Sequence, residues 1–276
     1  MLCLALLLGS QAGRAQRQTF SRMYVFGDSY SDLGEGYLDG DGPTAVAYLA
    51  DALGTTLRPA NAPGAEVGSM DFAISGAQTA EGKGVTVAGA LIGFGMKNQL
   101  EQFTARVRSG AVRFDPSTTL FFLAGGLNDR NLPSPTTVYN LESEIRALYA
   151  LGGRHFAVAL LPERIPAFRD VGVRLNPVLA GIPAELTPQL PDATIVLSHW
   201  GPFFDEVLTH PAKYGLSNTT DACAGRAIFH QDATPCATPA AYFYYHKDHP
   251  STAAHRAVGA MLYRELTGSQ GATRAP

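Results

Sequence analysis

Ser29 lies in the segment Phe26-Gly27-Asp28-Ser29-Tyr30-Ser31-Asp32-Leu33-Gly34, directly after the apolar run Tyr24–Phe26. If that run is a strand, the hydroxyl stands at its carboxyl end, where Gly27 permits a sharp turn. Backbone N–H groups of the following turn would then face the reaction centre. Three later segments add complementary groups. Asp71-Phe72-Ala73-Ile74-Ser75-Gly76-Ala77 ends an apolar run on a glycine and exposes the Gly76 amide. Ala124-Gly125-Gly126-Leu127-Asn128-Asp129 places the Asn128 carboxamide just past another apolar run. His246-Lys247-Asp248-His249-Pro250-Ser251-Thr252 puts an imidazole ahead of a helix capped by Ser251 or Thr252. A hydroxyl, an imidazole and amide donors are the groups that acyl transfer needs.

These groups act together only if strands and helices bring them to one rim. Tyr24–Phe26, Thr119–Leu123, Phe156–Leu161 and Thr194–Leu197 are short apolar runs bounded by Gly, Pro or Asp, as buried parallel strands are. Helical segments alternate with them. Pro43–Leu53 opens on proline and closes on Gly54, Met96–Arg108 stops before Gly110, and Thr136–Leu151 stops at Gly152-Gly153. Ser251–Leu266 is the last helix, with Gly268 past its end. Residues 162–192 hold six of the 18 prolines and read as an irregular excursion containing a helix. The alternation predicts a three-layer α/β/α sandwich with a central parallel sheet and right-handed crossovers. In such a sheet, ligands bind at the carboxyl ends of the strands, near the topological switch point. Ser29 and Asn128 fall on that rim.

Four segments in this order resemble the four blocks of the GDSL, or SGNH, family of serine hydrolases, with Ser29, Gly76, Asn128 and His249 as the named residues. The stretch Phe203–Leu208, through His210–Leu216 to Asp221-Ala222-Cys223, resembles the run before the final block in secreted bacterial phospholipase/lecithinase-like members. The resemblance spans residues 24 to about 266. It implies the flavodoxin-like SGNH fold and ester hydrolysis through an acyl-serine intermediate. Ser29 would be the nucleophile and His249 the base. The amides of Ser29 and Gly76, with the Asn128 side chain, would form the oxyanion hole. No metal or organic cofactor is implied.

Two positions depart from the family pattern. The last block normally carries Asp three residues before the histidine, to orient its ring; here that residue is His246. Three arrangements follow. His246 acts as a neutral acceptor, or Asp248 takes over through a reshaped turn, or a backbone carbonyl holds the ring and leaves a dyad. Glu35 is the second departure, standing where the family often has Asn.

Composition narrows the partners. The 276 residues carry a net charge of −3, with 16% charged and 46% hydrophobic side chains, which excludes disorder and a membrane bundle. No basic footprint for nucleic acid is present. The apolar run 2–8 is too short for stable membrane insertion, which takes about 20 residues. It reads as the core of a signal peptide over residues 1–15, leaving residues 16–276 as one domain in a secreted or periplasmic protein. Cys223 and Cys236 would then pair as a disulfide. His246 and His249 form His-x-x-His, but no further Cys/His pair has ligand spacing, so no metal site is expected.

The expected substrate is a small-molecule or lipid ester. Two rivals stand beside this reading: an acetyl esterase acting on carbohydrates, and a non-catalytic secreted binding protein that lost the acid. Tyr242–Tyr245, close to His249, reads as a buried last strand or as the lining of an apolar groove.

Overall fold

Residues 18–268 are described by a computed structural model. The expected leader, residues 1–15, and the cleavage point before Gln16 lie outside the described residues. Strand β1 (Arg22–Gly27) is buried from Met23 onward, so both its faces need covering. The chain answers with helices on the two faces of a parallel sheet.

After β1 come helix α1 (Ala45–Ala52) and two short strands, β2 (Leu57–Pro59) and β3 (Ser69–Asp71). A hairpin of β4 (Lys83–Val87) and β5 (Ala90–Phe94) leads into α2 (Met96–Arg108) and β6 (Thr119–Ala124). Then follow α3 (Ser134–Ala150), β7 (His155–Ala159), α4 (Arg169–Leu179), α5 (Ile182–Leu186), β8 (Thr194–Ser198) and α6 (Trp200–Thr209). The last part holds β9 (Asn218–Ala222), β10 (Tyr242–His246), β11 (His249–Pro250) and α7 (Thr252–Thr267).

The main sheet has six strands in the order β2-β3-β1-β6-β7-β8, all parallel. Successive strands lie on one side of β1 and then on the other, so the order reverses between β1 and β6. The loops after these two strands therefore open onto the crevice that such a reversal creates. Helix α7 packs on α1 and on α6, while α2 and α3 pack together with α4 and α5 alongside α3. The result is the α/β/α sandwich with a central parallel sheet expected from the alternation.

The core between the layers is rich in aromatic side chains. Tyr24, Phe26, Phe72, Phe103 and Phe121 are all buried and pack ring to ring, with Phe26 stacked on Phe72 at a centroid distance of 5.3 Å. Aromatic pairs of this kind contribute beyond the area they bury. The two halves of the chain meet at α1 and α7, where Gly259 leaves no room for a Cβ. Such an atom would stand 2.5 Å from Tyr48 Cβ and 2.8 Å from the Ala45 carbonyl.

Tyr242–Tyr245 does form a strand, but not one of the main sheet. It belongs to β10, in a separate sheet of order β11-β10-β9. Phe243 and Tyr244 are buried there, while Tyr242 and Tyr245 are only partly covered. Alternating apolar and polar burial cannot say which sheet a strand joins. No described helix is long and apolar enough to cross a membrane.

Candidate active site

The loop that carries Ser29 is braced on both sides. Gly27 ends β1 so close to β6 that a Cβ would meet the Ala124 carbonyl at 2.6 Å. Its N–H donates to Gln99 Oε1 at 3.0 Å, and its carbonyl accepts from Gln99 Nε2 at 2.9 Å. Asp32 accepts from the amides of Gly34 (2.8 Å), Tyr37 (2.8 Å) and Ser75 (2.7 Å), tying the loop after β1 to the segment after β3. Asp129 does the same for the next loop, accepting from Thr79 N at 3.0 Å and from the hydroxyl of Thr137 at 2.8 Å. Asp28 accepts from Tyr30 N at 3.2 Å. Burial drives the Asp28 pKa up to about 8. Glu35 is likewise pushed up by burial, to about 7.

On this scaffold Ser29 Oγ lies 2.8 Å from His249 Nε2, although 220 residues separate them in the chain. Both are buried at 7–8% exposure. They open onto a cleft of about 200 Å³ that Gly76 and Asn128 also line, with Ile92, Phe168, Ile228 and Phe229 as apolar wall. Gly76 takes a positive φ of 79°, a conformation that glycine adopts without strain. Asn128 Nδ2 donates to the Ala77 carbonyl at 2.9 Å, which fixes the carboxamide and leaves its second hydrogen for the cleft. Among the described residues, the backbone N–H groups of Ser29 and Gly76 have no protein acceptor. The cleft thus joins a hydroxyl and an imidazole in hydrogen-bond contact with amide donors that have nothing else to bind.

Of the three arrangements offered for His249, the contact present is the one with a backbone carbonyl. His246 faces His249 across the β10–β11 pairing, yet its Nδ1–H donates to Asp39 Oδ1 at 2.7 Å. Asp248 holds a left-handed backbone with φ of 63°, and its carbonyl accepts from the Tyr30 hydroxyl at 2.7 Å. Among the described residues neither His246 nor Asp248 hydrogen-bonds the His249 ring. His249 Nδ1 instead faces the Lys247 carbonyl at 3.1 Å, and the Arg226 guanidinium also touches it. Burial is the main cause that pushes the His249 pKa down to about 4; Asp39 opposes it and Arg226 reinforces it.

Asp39 and Arg226 are absent from the sequence-based candidates. Asp39 sits in Asp39-Gly40-Asp41-Gly42-Pro43, where an acid reads as a turn former. Arg226 lies in the loop closed by the Cys223–Cys236 disulfide, 13 residues apart. That tether, just upstream of the histidine segment, is the one sequence signal that a fixed side chain could stand there. His255, on α7, is buried and accepts from Ala45 N at 3.0 Å. Among the described residues there is no metal-ligating cluster.

Fold and cleft together define an α/β hydrolase acting on carboxylic esters. The chain belongs to the GDSL-like lipase/acylhydrolase family, whose model matches residues 23–262. Among solved structures, an α/β hydrolase from the metagenome of Lake Arreo, Spain, is similar at a TM-score of 0.50 and 15% identity, covering 92% of this chain and 98% of that one. An acetylxylan esterase from Geobacillus stearothermophilus aligns at a TM-score of 0.47 and 16% identity, over 94% and 100% of the two chains. A lipolytic protein of the G-D-S-L family from Veillonella parvula aligns at 0.45 and 13% identity, over 87% and 94%. No protein of curated function matches the sequence.

Proposed function

We propose that the protein is a secreted serine esterase in which Ser29 attacks the ester carbonyl and His249 accepts its proton. The observation that carries this reading is the 2.8 Å contact between Ser29 Oγ and His249 Nε2 beside two unpaired backbone amides. Nε2 presents its lone pair to the hydroxyl in the tautomer whose Nδ1–H points at the Lys247 carbonyl, which requires the Arg226 guanidinium to move off Nδ1. Attack forms the Oγ–carbon bond and moves the carbonyl π pair onto oxygen. The amides of Ser29 and Gly76 and the Asn128 side chain receive that charge. Collapse expels the alcohol, which takes the proton from His249, and water then cleaves the acyl-serine by the same route in reverse.

The substrate is an ester with a short acyl group, because the cleft beside Ser29 is small and its apolar wall is limited to a few side chains. Acetyl esters of carbohydrates fit this limit as well as short aliphatic esters do. Long-chain lipid esters would need the acyl tail to run out over Phe229, which is 46% exposed. Secretion is supported by the apolar run 2–8 and by the disulfide, which persists in oxidising compartments.

Turnover of p-nitrophenyl esters from acetyl to palmitoyl, with acetylated carbohydrate in parallel, tests the assignment. The expected result is a maximum at short chains and stoichiometric labelling of wild type by a fluorophosphonate, abolished in Ser29→Ala. A protein that takes no label and turns over no ester would instead be a binding protein with this fold.

A further inference from the structure

A buried imidazole that must become an imidazolium needs a negative charge close by, and the usual position for it is occupied by His246. The structure supplies a carboxylate from elsewhere. Asp39, on the loop between β1 and α1, is 8% exposed and lies against the ring from the side opposite the expected one. Its Oδ1 accepts from His246 Nδ1 at 2.7 Å and from Arg226 Nε at 2.9 Å. Those two donors fix the carboxylate plane and leave Oδ2 facing His249 Nε2 at 3.3 Å.

We propose that Asp39 is the positioning carboxylate of the catalytic histidine, held in place by His246 and Arg226, and that it acts at Nε2 rather than at Nδ1. The inference rests on reading Ser29 and His249 as nucleophile and base. When the Ser29 proton passes to Nε2 as the Oγ–carbon bond forms, the new positive charge appears 3.3 Å from Oδ2. The carboxylate raises the basicity of the lone pair beforehand and stabilises the imidazolium afterwards. The proton then leaves with the alcohol, and no net charge remains.

Other groups around the ring do not supply this charge. Arg226 is cationic and His246 donates its Nδ1–H away from the ring toward Asp39. His255 on α7 is a buried imidazole held near neutrality by burial, and Tyr30 contributes an aromatic ring at 5.4 Å. Asp248 turns its carbonyl to Tyr30, and Lys247 offers only its carbonyl. Burial alone would raise the Asp39 pKa, but the His246 hydrogen bond and the Arg226 guanidinium oppose it, and the carboxyl lies below its ordinary value. It is therefore ionised wherever the enzyme would work.

The test pairs kinetics with a measurement that needs no turnover. In Asp39→Asn, kcat for a short-chain ester is expected to fall on the order of 10²- to 10⁴-fold, the range seen when a triad carboxylate is neutralised. KM should change little, and the acid limb of kcat/KM should move to lower pH. In the Ser29→Ala background, adding Asp39→Asn should move the NMR titration midpoint of the His249 ring to lower pH. An unmoved His249 titration, with kcat within about threefold of wild type, overturns the inference. If Asp39→Asn does not fold, Asp39→Glu carries the test. Its displaced charge should lower kcat and shift the pH profile, and an unchanged profile overturns the inference equally. Full activity of Asp39→Asn beside an inactive Ser29→Ala would sink only the role of Asp39. An active Ser29→Ala would sink the esterase mechanism itself.

Discussion

The side chain of Gln99 pairs with both backbone groups of Gly27, two residues before Ser29. Its Oε1 accepts from the Gly27 N–H at 3.0 Å and its Nε2 donates to the Gly27 carbonyl at 2.9 Å. The same Nε2 reaches the Phe94 carbonyl at 3.1 Å. One carboxamide on α2 thus docks the end of β1 and the end of the β4–β5 hairpin. Gln99→Leu would leave the buried Gly27 N–H without an acceptor, while its carbonyl keeps Ile74 N at 3.2 Å. We expect a stability loss of about 1–3 kcal/mol, read from urea denaturation. We also expect kcat to fall, since small displacements of a nucleophile are costly. Wild-type stability in this variant would show that the pairing is replaceable by water.

The oxyanion donors proposed above make a graded prediction. Asn128→Ala should lower kcat by about 10²- to 10³-fold with little change in KM, because its amide engages charge that develops only in the transition state. Ser29→Ala should remove turnover by a factor on the order of 10⁶ and leave thermal stability nearly unchanged. Equal losses in kcat and gains in KM for Asn128→Ala would instead assign it to ground-state binding.

The disulfide couples stability to the cleft. The loop it closes carries Arg226, Ile228 and Phe229, all of which line the cleft. Replacing Cys223 and Cys236 by serine should cost about 3 kcal/mol in the chain-entropy account. The same change should depress kcat, because Arg226 is no longer held against Asp39 and the Lys247 carbonyl. Measuring both in one preparation, with dithiothreitol-treated wild type as control, separates the two effects. A destabilised but kinetically normal variant would limit the disulfide to a stabilising role.

The pH dependence has opposite slopes from different groups. His249 and His255 are pushed down by burial from 6.5 to about 4 and about 3. The unfolded chain takes up their protons below about pH 6.5 while the folded chain refuses them, so stability falls as the solution is acidified from there. Asp28 is raised from 3.8 to about 8, so its folded form keeps a proton that the unfolded chain has released. Its contribution is complete below pH 3.8 and is lost as pH climbs toward 8. Asp28→Asn should therefore gain on wild type between pH 5 and pH 8 in urea titrations at each pH. A constant difference across that interval would mean that Asp28 is ionised in the folded protein. For catalysis, kcat/KM should hold its plateau well below the ordinary imidazole range, since His249 stays neutral down to about 4.

Much of this architecture could be read from local pattern. Met96–Arg108 is a helix with the bounds its sequence implies, because glycine flanks it on both sides and its apolar residues share one stripe. The strands Thr119–Ala124 and Thr194–Ser198 follow from apolar runs cut off by punctuation residues. The short strands β2 and β3 were not legible, since three residues give no periodicity and their strand character comes from pairing with each other and with β1. The hairpin β4–β5 escaped for a different reason: its residues are half exposed and glycine-rich, so neither burial nor propensity marks it. Asp39 shows the sharper limit. It reaches His246 across 207 residues, and nothing in the turn around it records a partner so distant.

The seam between α1 and α7 has a consequence for biosynthesis. The hydroxyl emerges from the ribosome 220 residues before the imidazole, and the packing of Gly259 on Tyr48 closes the circle between them. A nascent chain carrying only its first two hundred residues owns a serine and two amides but no base. In the proposed mechanism, hydrolytic competence would therefore wait until the segment carrying His249 has been made and packed against the first third of the chain.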